Sequence, residues 1–178
     1  MIVSASSVSP SVIVGVDPGE TTGVCVLELA SSGRGVSGRI ANGRSWGHEF
    51  PVDYSSGVGW LRAEARFVRE MRDRLVRFRS APQLSPSSST VVAIVMEDFI
   101  LREHNKGRSL LSPVRIISGL CSLLEEESQC WSVELQSASD AKAAVTDATL
   151  KSLGLYWVGM QHARDATRHA VLYARKFG

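Results

Sequence analysis

Two short stretches, VIVGVD (12–17) and TVVAIVMED (90–98), are apolar at nearly every position, and each stops on a carboxylate. Unbroken apolar runs of this length suit strands buried on both faces, which places them at the centre of a sheet with helices on either side. If the two strands are neighbours and run in the same direction, Asp17 and Glu97 emerge side by side at one sheet edge, where open α/β sheets build their sites. Two close carboxylates repel, so the arrangement is costly without a cation. Taken singly, each has a plainer reading: Asp-Pro-Gly is good turn chemistry on its own, and Glu97 can be a solvated strand end.

The rest of the chain fits around these strands. Pro18 and Gly19 supply a turn, and TTGVCVLEL is a second strand with Val24, Val26 and Leu27 packing inward. The Gly- and Ser-rich SSGRGVSGRIANGR leads to a weaker third strand around SWGHEFPV, completing an antiparallel meander. From 60 to 79, apolar residues at 61, 65, 68, 71, 75 and 78 predict a helix, whose arginines alternate with Glu64, Glu70 and Asp73 as in a salt-bridged surface. SAPQLSPSSST is a linker. After Glu97 come a basic segment, LREHNKGRSLL, a helix SPVRIISGLCSLLEEES begun by Ser112 and Pro113, and a fifth strand, WSVEL. One helix over DAKAAVTDATLKSLG is expected, capped by Ser139 and closed by Gly154. QHARDATRHAVLYARKFG is the last helix, with Arg175 and Lys176 at the negative end of its dipole. The order predicts an α/β fold with a mixed five-stranded sheet flanked by helices.

With 178 residues, 44% of them apolar and 21% charged, one domain over 12–178 behind a loose tail at 1–11 is expected. No apolar run approaches the roughly 20 residues needed to span a bilayer, and MIVSASSVSPS lacks the basic and apolar regions of a signal peptide. Cys25, Cys121 and Cys130 are odd in number and lack metal-ligand spacing, which suits a reducing, cytoplasmic setting. A net charge of +2 does not by itself demand a polyanionic partner. Its distribution is more telling: acidic residues can gather at a metal while arginines face a phosphate backbone.

The last helix strengthens the metal reading. His162, Asp165 and His169 are three and four apart and share one face, whereas Ala163, Ala166, Ala170 and Ala174 form another. A small alanine face lets the helix lie close on a sheet and brings the polar face to the sheet edge. Imidazole and carboxylate at this spacing can ligate a divalent ion, with oxygen donors favouring Mg²⁺ or Mn²⁺; a solvated polar face is the alternative. His48 and His104 have no such company.

VGVDPGETTGVCVLE resembles the first motif of the RuvC-type Holliday junction resolvases, IVMEDF their second, and HARDATRHA their final acidic helix. HNKGRSLL, the helix containing Gly119, and KAAVTDATLKSLG, similar to the family's basic KxxV segment, stand in the same order. The resemblance implies an RNase H-like fold, a homodimer, and metal-dependent nicking of DNA strands placed symmetrically at a four-way junction, leaving 5′-phosphate and 3′-hydroxyl ends. It implies Asp17, Glu97, His162 and Asp165 as the catalytic and metal-binding set. The commoner family residue at position 162 is Asp, and the compact chain with His162 looks most like phage-encoded members, which act in the host cytoplasm. Ile100 stands where many members have a DNA-stacking phenylalanine, with Phe99 one place earlier, and Asp147 and Ala148 replace a Gly-rich stretch.

On this reading two ions about 3.5 to 4 Å apart serve the hydrolysis. Asp17 bridges them, Glu97 and Asp165 hold one each, and His162 ligates or takes a proton, with His169 one turn on orienting Asp165. Lys106, Arg108, Arg115, Lys142 and Lys151 are candidates for phosphate contacts, against a solvated basic surface. The 112–128 helix is the expected dimer element. The rivals are a nuclease acting mainly on flaps, forks or packaging intermediates, and a non-catalytic module that binds branched DNA.

Overall fold

The computed structural model describes residues 11–51, 59–80, 92–98, 111–126 and 131–177. The elements run β1 (Val12–Asp17), β2 (Thr21–Glu28), α1 (Gly35–Ala41), β3 (Arg44–Pro51), α2 (Gly59–Ser80), β4 (Val92–Glu97), α3 (Ser112–Glu126), β5 (Trp131–Gln136), α4 (Ala138–Ala144), α5 (Asp147–Ser152) and α6 (Gln161–Phe177). They build one five-stranded sheet in the order β3-β2-β1-β4-β5. The first three strands form the antiparallel meander, and β1, β4 and β5 are parallel. The expected tail at 1–11 lies outside the described residues except for Ser11.

The two apolar runs are indeed central neighbours. Val12 to Val16 pair in parallel with Val92 to Met96, so Asp17 and Glu97 follow one step later at the same end. Alternation divides each run between two cores. Ile13, Cys25, Leu27, Ala93 and Val95 face one layer, formed by α6 with residues of α1, α4 and α5. Val12, Val14, Val16, Val92, Ile94 and Met96 face the other, against Phe67, Val68 and Met71 of α2 and Ile116 and Leu120 of α3. Each such side chain contributes about 1.5–3 kcal/mol relative to exposure. The turn after Asp17 is held by Thr22, whose hydroxyl donates to the Gly19 carbonyl at 3.0 Å. Among the described residues no helix is long and apolar enough to cross a membrane.

Three local expectations change. The Gly- and Ser-rich connection contains α1, which buries Ile40 and is tied back by Arg39 Nε donating to the Ala30 carbonyl at 3.0 Å. The helix expected after Ser139 is two, α4 and α5: Val145 is extended, and Thr146 caps α5 by accepting from Thr149 N at 3.2 Å. Ser137, not Ser139, occupies the N-cap position of α4, and Gly154 ends the segment at φ +70°. Finally, α2 is rolled relative to its apolar spacing. Leu61 and Ala65 are exposed whereas Glu64 is buried, because Arg115 of α3 donates to both Glu64 oxygens, at 2.7 and 2.9 Å.

Candidate metal-binding active site

The site is set by how closely α6 approaches the sheet. Ala163, Ala166, Ala170 and Ala174 are completely buried, so the alanine face is the packing face. The strands beneath are correspondingly bare. A Cβ on Gly15 would lie 2.0 Å from the Ala166 carbonyl oxygen, and one on Gly23 2.0 Å from that of His162. Helix backbone therefore rests on strand backbone, and Gly23 is the register partner of Asp17.

This contact delivers His162 to Asp17, with Nδ1 2.9 Å from Oδ2. Asp17 is 8% exposed. Burial first, and the Glu97 charge second, push its carboxyl up to about 6 against the opposing pull of His162. Asp165 adds a smaller push in the same direction, so all three carboxylates share one field. Glu97 behaves oppositely: a hydrogen bond from His169 holds its carboxyl below the usual range despite partial burial.

His169 departs from its expected role. Its ring is buried between the ends of β4 and β5, with Nε2 3.4 Å from Glu97 Oε2 and Nδ1 3.3 Å from Gln136 Oε1. It thus orients Glu97 rather than Asp165. Because α6 crosses the strands, His162 meets β1 and β2, and His169 meets β4 and β5. Asp165 is held instead by Arg168, three residues on, with Lys142 Nζ 3.4 Å from its other oxygen. Arg168 also donates to Asp147 and, from Nε at 3.1 Å, to the Val145 carbonyl. Asp147, at the position where the sequence departs from the resolvase pattern, is the outer anchor of this latch.

Among the described residues, no three His, Cys, Asp or Glu side chains converge closely enough in this arrangement to hold an ion together. Their chemistry nevertheless suits a hard divalent cation. Asp17 and Glu97 supply oxygen donors at one sheet edge, and burial first, with the Glu97 charge second, penalises the ionised Asp17 carboxyl, a cost that a cation would relieve.

The proposed phosphate contacts are dispersed. Lys142, half exposed, stands beside Asp165. With Thr146, Gln161, Arg164 and Arg168 it lines an open cleft of about 400 Å³ next to that carboxylate. Lys151 lies over the Tyr156 ring at 4.7 Å, as does Arg164 at 4.9 Å. Arg115 is engaged by Glu64 between α2 and α3, in the layer on the other side of the sheet from α6. Lys106, Arg108, His104, Phe99 and Ile100 fall outside the described residues, and His48 packs among Trp46 and Phe50.

Four site residues escaped the sequence reading: Arg168, Asp147, Gln136 and Glu49. Arg168 had a signal, its three-residue spacing from Asp165. Gln136 ends β5 as Glu97 ends β4, in register with it. Glu49 had none, because its partner is the backbone of an element 113 positions away.

No protein-family model matches the chain, and no curated protein matches it. Solved structures do. The chain is similar to T. thermophilus RuvC in complex with Holliday junction substrate, with a TM-score of 0.65 and 16% identity over 94% of this chain and 96% of that one. It is also similar to a second Thermus thermophilus RuvC structure, with a TM-score of 0.59 and 17% identity over 93% and 96%. Likeness at this identity speaks for architecture: the mixed five-stranded sheet with flanking helices is the RNase H-like fold of RuvC.

Proposed function

We propose that this chain is a metal-dependent, structure-selective DNA endonuclease that resolves four-way junctions by paired symmetric nicks, leaving 5′-phosphate and 3′-hydroxyl ends. The observation that carries the reading is the meeting of Asp17 and Glu97, on adjacent parallel strand ends, with His162 of α6 at 2.9 Å from Asp17. It is supported by a fold shared across nearly the whole chain with a RuvC whose solved complex holds a Holliday junction. His162, where the resemblance has Asp more often, favours the phage-encoded type, acting in the host cytoplasm.

Asp17, Glu97, His162 and Asp165 would hold Mg²⁺ or Mn²⁺, which when bound supplies an activated water and charge stabilisation at the leaving 3′-oxygen. The chain's own groups prepare that chemistry. Asp17 fixes the His162 ring through Nδ1, leaving Nε2 as the nitrogen available to ligate or to take a proton. His169 holds the Glu97 carboxylate ionised and oriented. Lys142 and Lys151, with Lys106 and Arg108, are the candidate phosphate contacts, which fix position without reading sequence, whereas the Arg115 expected with them is engaged by Glu64 in the opposite layer. Symmetric nicking needs two sites related by a two-fold axis, hence a homodimer.

The test is strand-resolved cleavage of an immobile four-way junction, a 5′-flap and a plain duplex with Mg²⁺ or Mn²⁺, by wild type and Asp17→Asn. Paired junction nicks that vanish in the variant are expected. Preferential flap or fork cutting would keep the site and change the substrate. Tight junction binding without cleavage would instead favour a non-catalytic branched-DNA module.

A further inference from the structure

α6 begins without a cap of its own. The first N–H bonded within the segment is that of Arg164, to the Met160 carbonyl at 3.2 Å, so those of Gln161, His162 and Ala163 have no carbonyl one turn back. Met160 has no side-chain oxygen to accept them, and the first turn of α6 contains no acidic residue. The acceptor comes from β3. Glu49 Oε1 receives the His162 N–H at 2.6 Å and the Ala163 N–H at 3.3 Å.

The place of Glu49 in the sheet gives this contact a further meaning. Asp17 pairs with Gly23, and Gly23 pairs with Glu49, so the three form one row across β1, β2 and β3. Position by position the row reads carboxylate, gap, carboxylate. The His162 backbone sits in the gap, since any Cβ on Gly23 would overlap its carbonyl. From there its ring reaches Asp17 on one side and its N–H reaches Glu49 on the other.

We propose that Glu49 is a positioning residue for His162: its carboxylate anchors the first turn of α6 from the neighbouring strand and thereby fixes the imidazole against Asp17. A charged acceptor on helix-terminal N–H groups is both a strong hydrogen bond and a match to the helix dipole. Without it the first turn is free to fray, and the ring loses its bearing on Asp17 while the rest of α6 stays packed through its alanines. The catalytic part of this inference rests on the nuclease reading, whereas the anchoring itself does not.

The experiment compares wild type, Glu49→Ala, Glu49→Gln and Glu49→Asp, alone and combined with His162→Ala. The first readout is the amide proton resonances of His162 and Ala163 in the free protein. Glu49→Ala and the shorter Glu49→Asp should move both upfield, and Glu49→Gln, which keeps an oxygen in place, should largely restore them. The second is junction nicking with metal. Glu49→Ala is expected to lower kcat about tenfold with KM nearly unchanged, Glu49→Gln to recover most of it, and Glu49→Ala to add less than about twofold in the His162→Ala background.

Unmoved amides would overturn the anchoring. An equal loss from Glu49→Ala with and without His162 would overturn its action through the imidazole. If wild type cuts no junction, the nuclease reading fails, and the amide resonances alone decide whether Glu49 holds the helix.

Discussion

Asp17 is the residue whose charge is least at home in the folded protein. Its carboxyl moves from an ordinary 3.8 to about 6 on folding, so between those values the folded state binds more protons than the unfolded state. Stability from this group therefore falls as pH rises through that window, and the loss is complete above about 6. The shift, which already includes the opposing pull of the His162 hydrogen bond, corresponds to about 3 kcal/mol at most. Asp17→Asn is accordingly expected to raise Tm at pH 7.5, at about 2–4 °C per kcal/mol recovered, and to lose that advantage near pH 4. Added Mg²⁺ or Mn²⁺ should raise the Tm of wild type at pH 7.5 but not that of Asp17→Asn, with a chelator reversing the effect. Thermal melts at the two pH values, with and without metal, check both. Residues of this kind were readable from sequence, since a charge ending an apolar run stands out. Arg168 carried only its three-residue spacing from Asp165, and Glu49 carried nothing, because a glutamate on a weak strand looks like solvated surface until the partner is placed beside it.

For the elements, α6 was legible and its neighbours less so. Two orthogonal faces, one alanine and one polar, state both what packs and what projects, and the helix occupies Gln161–Phe177 as its pattern requires. In α2 the spacing identified a helix but missed its roll, since the buried Glu64 depends on Arg115, 51 residues away. The break between α4 and α5 was hidden because Val145 and Thr146 also fit a helical pattern. The closeness of α6 to the sheet yields its own prediction. Gly23→Ala would place a methyl 2.0 Å from the His162 carbonyl oxygen and 2.6 Å from the Ala163 nitrogen, both main-chain atoms that cannot swing aside. The helix must lift, at a cost of roughly 1–3 kcal/mol or more. Because the displaced turn holds His162, nicking should fall by about a hundredfold at temperatures where the variant remains folded, a larger loss than its Tm accounts for. Gly119→Ala has the Val68 side chain as its nearest neighbour, at 3.3 Å between α2 and α3, and replaces a glycine inside a helix. It serves as the packing control, with nicking little changed and following whatever small shift Tm shows.

For the whole molecule, the proposed paired nicking requires a surface that would bring two copies of the chain together. Along β5, Ser132, Glu134 and Gln136 meet Tyr173, Lys176 and His169 of α6, so Val133 and Leu135 point to the opposite layer. There, at the sheet edge, they remain 41% and 48% exposed; Leu111 and Val114, at the start of α3, are 45% and 40% exposed. A sheet-edge strand presenting exposed aliphatic side chains suits a self-complementary contact about a two-fold axis. The sequence had nominated the 112–128 helix for dimerisation; the edge strand is a second candidate that it had not. Paired charges at Val133→Glu and Leu135→Glu are exposed enough to be tolerated by the fold, yet would repel across a two-fold interface. Sedimentation equilibrium at micromolar concentration should find wild type dimeric and the double variant monomeric. On a junction the variant should make single nicks in place of paired ones, with the metal site intact. A dimer that survives both charges would move the two-fold contact to another surface, whereas a wild-type monomer would remove the geometric basis for symmetric cutting.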